Sequence, residues 1–174
     1  MKTHVLLAVV LSMAPSVAHA DEAMAIVIDA TQIMPREDVH AGAVGGGAEF
    51  RVLPDDEPFT ASFGTFVAIG QRGEPMRRDV LDVHATMGVK AKKKAFAPYV
   101  ELGLHVLHVT THRDEMAFRG TTLGVSAQAG VLGVLGKHTV FRANAGYLGA
   151  IAPGTGDDLG AVVLQVGLGY AFDD

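Results

Sequence analysis

The feature that most constrains this chain is a strict alternation of apolar and polar residues. In the segment from Val80 to Lys90, the odd-numbered positions are all apolar, and the even-numbered positions are mostly polar or glycine. Successive side chains of a β-strand point to opposite faces, whereas a helix repeats every 3.6 residues. The segment is therefore predicted to be a strand with one apolar and one polar face.

The same alternation recurs along the chain, more weakly near Gly45–Gly47. It defines eight segments: Met24–Ile33, Gly42–Val52, Phe59–Ile69, Val80–Lys90, Tyr99–Val106, Thr122–Leu135, Phe141–Ala150 and Ala161–Phe172. Each has about 10 residues, the length that a tilted strand needs to cross the hydrocarbon of a membrane. Short polar connections such as Ala91–Ala95 and Thr111–Ala117 separate them. The pattern predicts an all-β fold, an eight-stranded antiparallel up-and-down transmembrane β-barrel.

The polar face of these strands is too poor in charge to cover the outside of a soluble protein. Only 19% of the residues are charged, while 49% are hydrophobic. A narrow eight-stranded lumen, which side chains fill and in which charges must pair, fits such a face. We therefore expect a polar network in the lumen, formed by Asp29, Glu49, Arg51, Asp82, His84, Glu101, His105, Arg142, Asn144 and Gln165. A secreted soluble β-barrel carrier, with the opposite orientation of the two faces, is the alternative fold interpretation.

The first twenty residues have the pattern of a secretory signal peptide. Lys2 supplies the positive charge, Val5–Met13 the apolar run, and Ala18-His19-Ala20 a cleavage site of the small-x-small type. The apolar run is too short to span a bilayer as a helix. The predicted organisation is a signal peptide over residues 1–20 and a barrel over residues 21–174, exported to the bacterial outer membrane.

The whole mature chain resembles the superfamily of small eight-stranded outer-membrane β-barrels that includes the OmpA transmembrane domain and OmpX-like proteins. The resemblance lies in the signal peptide, the eight alternating segments and the last strand, Val162–Phe172. It implies that the barrel-assembly machinery reads the terminal aromatic residues Tyr170 and Phe172, although Asp173 and Asp174 follow them here.

An aromatic girdle at the membrane interface is a further expectation. The chain has no tryptophan, and its aromatic content is only 6%. The girdle would therefore be thin, and we expect Tyr99, Tyr147, Tyr170 and Phe172 to supply part of it.

The sequence shows little sign of catalytic or metal chemistry. His105, His108 and His112 have a spacing that would cluster them on a helix, but on a strand His105 and His108 point to opposite faces. We therefore assign no metal site, cofactor or catalytic residue. The main functional hypothesis is a non-enzymatic barrel with a structural or surface-interaction role. A rim-active lipid-modifying enzyme is the alternative, with His108 and Ser126, or His112 and Asp114, as its candidate groups.

The expected partners follow from charge and location. A formal net charge of −5 argues against binding of nucleic acid. Arginines in predicted connections, Arg72, Arg77 and Arg113, together with neighbouring Arg78, are placed to meet phosphates of lipopolysaccharide. Lys90 and Lys92–Lys94, in a connection at the opposite end, can meet phospholipid headgroups. We expect a monomer in contact with outer-membrane lipids.

The signal peptide generates the first prediction. Export should remove residues 1–20 and leave Asp21 as the new N-terminus, because the small residues Ala18 and Ala20 fit the cleavage site. Mass spectrometry of the exported protein measures this directly. Recovery of a chain that retains Met1 would contradict the export hypothesis.

Overall fold

The structure is a computed structural model that describes residues 22–35, 42–54, 57–71, 76–91, 96–113, 116–135, 138–150 and 160–172. The predicted signal peptide lies outside these residues. The described residues form eight strands: β1 (Glu22–Pro35), β2 (Ala43–Pro54), β3 (Phe59–Gly70), β4 (Met76–Lys90), β5 (Phe96–Arg113), β6 (Met116–Leu135), β7 (Thr139–Ala150) and β8 (Ala161–Phe172).

The strands close into a barrel. Each strand pairs in antiparallel fashion with its neighbours in the chain, and β1 also pairs with β8, with Ile26 opposite Tyr170. The predicted eight-stranded antiparallel barrel is confirmed. The described part of the chain contains no helix that is long and apolar enough to cross a membrane.

The alternation of the sequence becomes an alternation between the outside and the lumen. On β5, 67% of the surface of Leu104 is exposed, whereas 6% of the next residue, His105, is exposed. The other strands follow the same rule, so large apolar side chains such as Ile28, Met87 and Leu168 form the outer surface. An apolar outside around an inside that holds many polar and charged side chains is the reverse of a soluble protein.

The lumen is filled in three layers. We name the end of the barrel where β1 begins and β8 ends the terminal end, and the other the distal end. One apolar layer lies towards the terminal end and consists of Ala25, Val27, Leu53, Tyr99, Leu132, Val140 and Ala171. A second lies towards the distal end and includes Ile33, Ala43, Phe66, Ala68, Ala161, Leu107, Val109 and Leu148. The polar residues occupy the middle layer.

The connection predicted at Thr111–Ala117 is largely wrong. β5 extends to Arg113 and β6 begins at Met116, and the two ends pair with each other, with Thr111 opposite Phe118. Threonine and phenylalanine favour extended backbone. The polar composition that suggested a loop instead belongs to a ribbon of three strands, because the start of β4, from Met76 to Asp79, also pairs with the end of β5. The β6 residues of this ribbon, Met116 to Arg119, are all exposed.

Inward-facing glycines allow neighbouring strands of the barrel to approach each other closely. A Cβ atom added to Gly88 would overlap the carbonyl oxygen of Val100 and lie 2.7 Å from Cα of Glu101. A Cβ added to the outward-facing Gly149 would meet only Cε1 of Tyr147, at 3.4 Å, which is ordinary van der Waals contact. Close approach of β4 to β5 thus requires glycine at position 88.

These two glycines give a matched pair of variants. Gly88→Ala should lower the free energy of unfolding by about 1–3 kcal/mol, because the backbone of β5 must move to admit the methyl group. Gly149→Ala should change it by less than about 0.5 kcal/mol. Urea unfolding of the refolded proteins measures both values. Equal effects of the two substitutions would mean that the lumen at Gly88 is not tightly packed.

Candidate functional site

The polar middle layer of the lumen is the candidate site. The structure places all ten predicted lumen residues in it, and none of them is more than 8% exposed. Strands β1, β2, β4, β5, β7 and β8 contribute them, because each strand turns every second side chain inward. Side chains from opposite walls meet across a barrel of this size.

Arg51 is the first of two buried arginines that organise the layer. Its guanidinium group donates hydrogen bonds to both carboxylate oxygens of Glu101, and Nη2 lies 3.0 Å from Oε2. It also donates to Oε1 of Glu49 at 2.8 Å and to the hydroxyl of Thr60 at 3.0 Å. The paired geometry with Glu101 uses the planar fork of the guanidinium group, which favours binding of a carboxylate by two bonds.

Arg142 is the second organising arginine and bonds to side chains on five other strands, β1, β2, β5, β6 and β8. Its Nη1 donates to Oδ2 of Asp29 at 3.1 Å and to Oε2 of Glu49 at 2.9 Å. Its Nε donates to the hydroxyl of Tyr99 at 2.9 Å, and its Nη2 to Oε1 of Gln165 at 3.2 Å. Glu49 therefore bridges the two arginines.

Asp82 forms a separate centre with two histidines. Its Oδ2 lies 2.5 Å from Nδ1 of His84, and its Oδ1 lies 2.9 Å from Nδ1 of His105. The far nitrogen of His105, Nε2, is 2.8 Å from Oγ of Ser126. The far nitrogen of His84 is 3.5 Å from Oε2 of Glu49, which connects this centre to the arginines.

The chain Ser126–His105–Asp82 has the order of a nucleophile, a base and an orienting carboxylate. The cavity beside it has a volume of about 20 Å³ and is lined by Phe66, Gln128 and other residues of the lumen. That volume holds one water molecule and no organic substrate. The geometry therefore meets the requirement for hydrogen bonding but lacks space for a substrate.

Of the two pairs that were candidates for catalysis at the rim, the pair of His108 and Ser126 does not form. Ser126 contacts His105, while His108 points to the outer surface and lies 3.0 Å from the hydroxyl of Thr121. The Nε2 atom of His112 is 3.2 Å from Oδ2 of Asp79. Asp114, its proposed partner, lies outside the described residues.

The pairing of the lumen residues was only partly predictable. A β4–β5 hairpin centred on the Ala91–Ala95 turn predicts that Asp82 and His105 are directly opposite each other, and this pairing is wrong. The hairpin centre lies further along the chain, because Lys90 pairs with Tyr99, so His84 is opposite His105. Asp82 reaches His105 diagonally instead.

Several members of the network are additional to the ten predicted residues. Tyr99, Thr60, Ser126 and Gln128 all bond to the predicted residues. Their inward position in the alternation was the available signal. The expectation that Tyr99 belongs to an outer aromatic girdle is wrong, because Tyr99 is 3% exposed and its hydroxyl accepts a hydrogen bond inside the barrel.

Comparisons with known proteins identify the fold. No protein-family model matches the sequence, and no curated protein matches it either. Solved structures do match. The outer membrane protein OprG from Pseudomonas aeruginosa is 16% identical in sequence, with a TM-score of 0.64. The match covers 90% of this chain and 98% of the OprG chain. Ail, the attachment invasion locus protein of Yersinia pestis, is 14% identical with a TM-score of 0.61, covering 88% and 100%.

A third match is the Neisserial surface protein A, which is 9% identical with a TM-score of 0.60, covering 89% of this chain and 98% of its own. This chain has the fold of the small eight-stranded outer-membrane β-barrels. Such a small barrel encloses a lumen just wide enough for side chains to fill, in agreement with the observed packing.

The buried pair Arg51–Glu101 generates a prediction about stability. Arg51→Met leaves the carboxylate of Glu101 buried, with the hydroxyl of Thr60 as its remaining side-chain donor among the described residues, and should cost about 3–5 kcal/mol. The double variant Arg51→Met/Glu101→Met should be more stable than the single variant, because both charges are then removed. Urea titration measures the three proteins. If the second substitution lowers stability further, Glu101 does not depend on Arg51.

Proposed function

We propose that this protein is a non-enzymatic outer-membrane β-barrel with a structural or surface-interaction role. The observation that carries the proposal is the apolar outer surface around a filled lumen with a polar middle layer. On β5 alone, Val100, Leu102 and Leu104 are each more than half exposed. A closed ring of backbone hydrogen bonds makes such a surface compatible with hydrocarbon, since it leaves no unpaired strand edge.

The same observation argues against a secreted soluble carrier. A carrier needs a polar outside and a cavity for its ligand. This barrel has an apolar outside, and its centre is occupied by ion pairs such as Arg51–Glu101 and Arg142–Glu49. The arrangement suits a lipid environment.

The filling of the lumen argues against a role as a channel. Apolar layers lie on both sides of the polar network, with Leu132 and Val140 towards the terminal end and Leu107 and Leu148 towards the distal end. The residual cavity at Ser126 has about 20 Å³, which leaves no room for a substrate either. The interior therefore supports a structural role, and interaction with partners is left to the outer surface and the distal end.

The partners proposed for the distal end are lipopolysaccharide phosphates. With both termini in the periplasm, the distal end faces outward. Arg113 is exposed there, and Arg77, which forms an ion pair with Asp79 at 2.8 Å, is half-buried beside it. Arg72, another expected contact at this end, lies outside the described residues. Lys92–Lys94, which we propose to meet phospholipid headgroups at the terminal end, also lie outside them. Assembly through the aromatic end of β8, Tyr170 and Phe172, completes the proposal for a monomeric barrel.

Two outward-facing apolar residues test the membrane proposal. Leu104 lies in the middle of β5 and is 67% exposed, while Met116 lies in the ribbon beyond the distal rim and is 59% exposed. In phospholipid vesicles, Leu104→Arg should lower the free energy of unfolding by about 2–4 kcal/mol, because it puts a cation into hydrocarbon. Met116→Arg should cost less than about 1 kcal/mol, the depth-dependent value near the interface.

The free energy of unfolding of both variants is measured in urea. The gel shift between unheated and heated samples reports the folded fraction at each urea concentration. For a water-soluble protein, both positions are surface sites, and neither substitution would matter. Equal and small effects at positions 104 and 116 therefore contradict the membrane proposal. Chromatography of the vesicle lipids tests the absence of enzyme activity separately, since the wild-type protein should leave the phospholipids unchanged.

A further inference from the structure

The Asp82 centre has the composition of a metal site. Asp82 and His84 lie on β4 and His105 lies on β5, and each offers one potential ligand atom within 4.8 Å of the other two. All three side chains are buried, with at most 6% of each residue exposed. Two imidazoles and a carboxylate form a ligand set that suits divalent ions such as Zn²⁺ or Co²⁺.

The Nε2 atoms of both histidines, which point away from Asp82, have the hydrogen-bond partners that metal-binding histidines need. When Nδ1 of an imidazole binds a metal, Nε2 carries the proton and usually donates it to a carboxylate, a carbonyl or a comparable acceptor. Here Nε2 of His105 is 2.8 Å from Oγ of Ser126, and Nε2 of His84 is 3.5 Å from Oε2 of Glu49. These contacts orient the Nδ1 atoms of both rings towards Asp82.

The charge balance of the lumen gives a second reason for a cation. The charged residues buried in the described part of the chain comprise the carboxyl groups of Asp29, Glu49, Asp82 and Glu101, and the guanidinium groups of Arg51 and Arg142. With the carboxyl groups ionised, two negative charges remain uncompensated. Isolated charge is costly in a medium of low dielectric constant. Either two protons or one divalent cation neutralises this excess.

A small cavity lies next to both histidines. Its volume of about 20 Å³ is enough for one water molecule, and its lining includes His84, His105 and Ser126. Divalent ions bound by three protein ligands commonly complete their coordination with water. Asp82 does not line this cavity, so a water molecule in it would lie beside the imidazole rings on the side of Ser126.

We propose that Asp82, His84 and His105 bind one divalent transition-metal ion inside the barrel. The ion replaces the protons of the two hydrogen bonds between the Nδ1 atoms and the carboxylate of Asp82. It joins β4 to β5 and neutralises the excess negative charge. Because apolar side chains such as Phe66 and Leu107 cover the polar layer towards the distal end, the ion enters during folding, before the barrel closes.

Refolding with cobalt tests the proposal. The full mature chain is refolded from urea into detergent micelles with Co²⁺ in the buffer, and unbound ion is removed by gel filtration. Folding is followed by the gel shift on heating. We expect the folded wild-type protein to retain about one Co²⁺ per chain. X-ray absorption should show imidazole nitrogen among its ligands.

Three variants locate the site. His105→Gln removes a ligand, and Ser126→Ala removes only the hydroxyl group beside Nε2, so the latter should keep the barrel intact. We expect each to weaken Co²⁺ affinity by about tenfold or more. The control is His108→Gln, which changes an outward-facing histidine on the same strand and should retain Co²⁺ as the wild type does.

Two outcomes would overturn the proposal. A folded wild-type protein that retains no Co²⁺ after refolding shows that protons, and not a metal, neutralise the lumen. Loss of Co²⁺ in His108→Gln equal to that in His105→Gln shows that binding takes place on the outer surface. Because folding is measured separately for each protein, an unfolded variant is distinguished from a folded one that lacks metal.

Discussion

Closure of the sheet between β1 and β8 is the constraint on which the rest of this structure depends. The register that places Ile28 opposite Leu168 removes the last unpaired strand edge. Once the ring of hydrogen bonds is complete, the outside can be entirely apolar, because no backbone group on it needs water. The same closure forces every inward side chain of eight strands into one narrow space.

That narrow space explains the chemistry of the lumen. Inward carboxylates and guanidinium groups are out of reach of water, so each must find partners among the others. Arg51 and Arg142 share the carboxylate of Glu49, and this bridge ties opposite walls of the barrel together. The remaining negative charge is neutralised at Asp82, His84 and His105, either by protons on the histidines or, as we propose, by a metal ion that the three residues bind.

A filled lumen separates stability from function in this protein. The interior holds the barrel together, while the surface that can meet other molecules is the apolar belt and the distal end. The ribbon formed by the start of β4, the end of β5 and the start of β6 lies there, with Phe118 and Arg119 exposed. The proposed interactions with lipids therefore depend on residues that take no part in the polar network.

The sequence by itself determined the strands and the face that each residue occupies, because alternation is a local property of extended backbone. The odd-numbered residues of Val80–Lys90 were assigned to the face opposite to Asp82 and His84 on that ground alone. Which lumen residues meet was decided only by the tertiary structure. Arg142 and Asp29 lie 113 positions apart, and their contact depends on the stagger of all eight strands and on closure. A displaced β4–β5 turn was enough to put His84, and not Asp82, opposite His105.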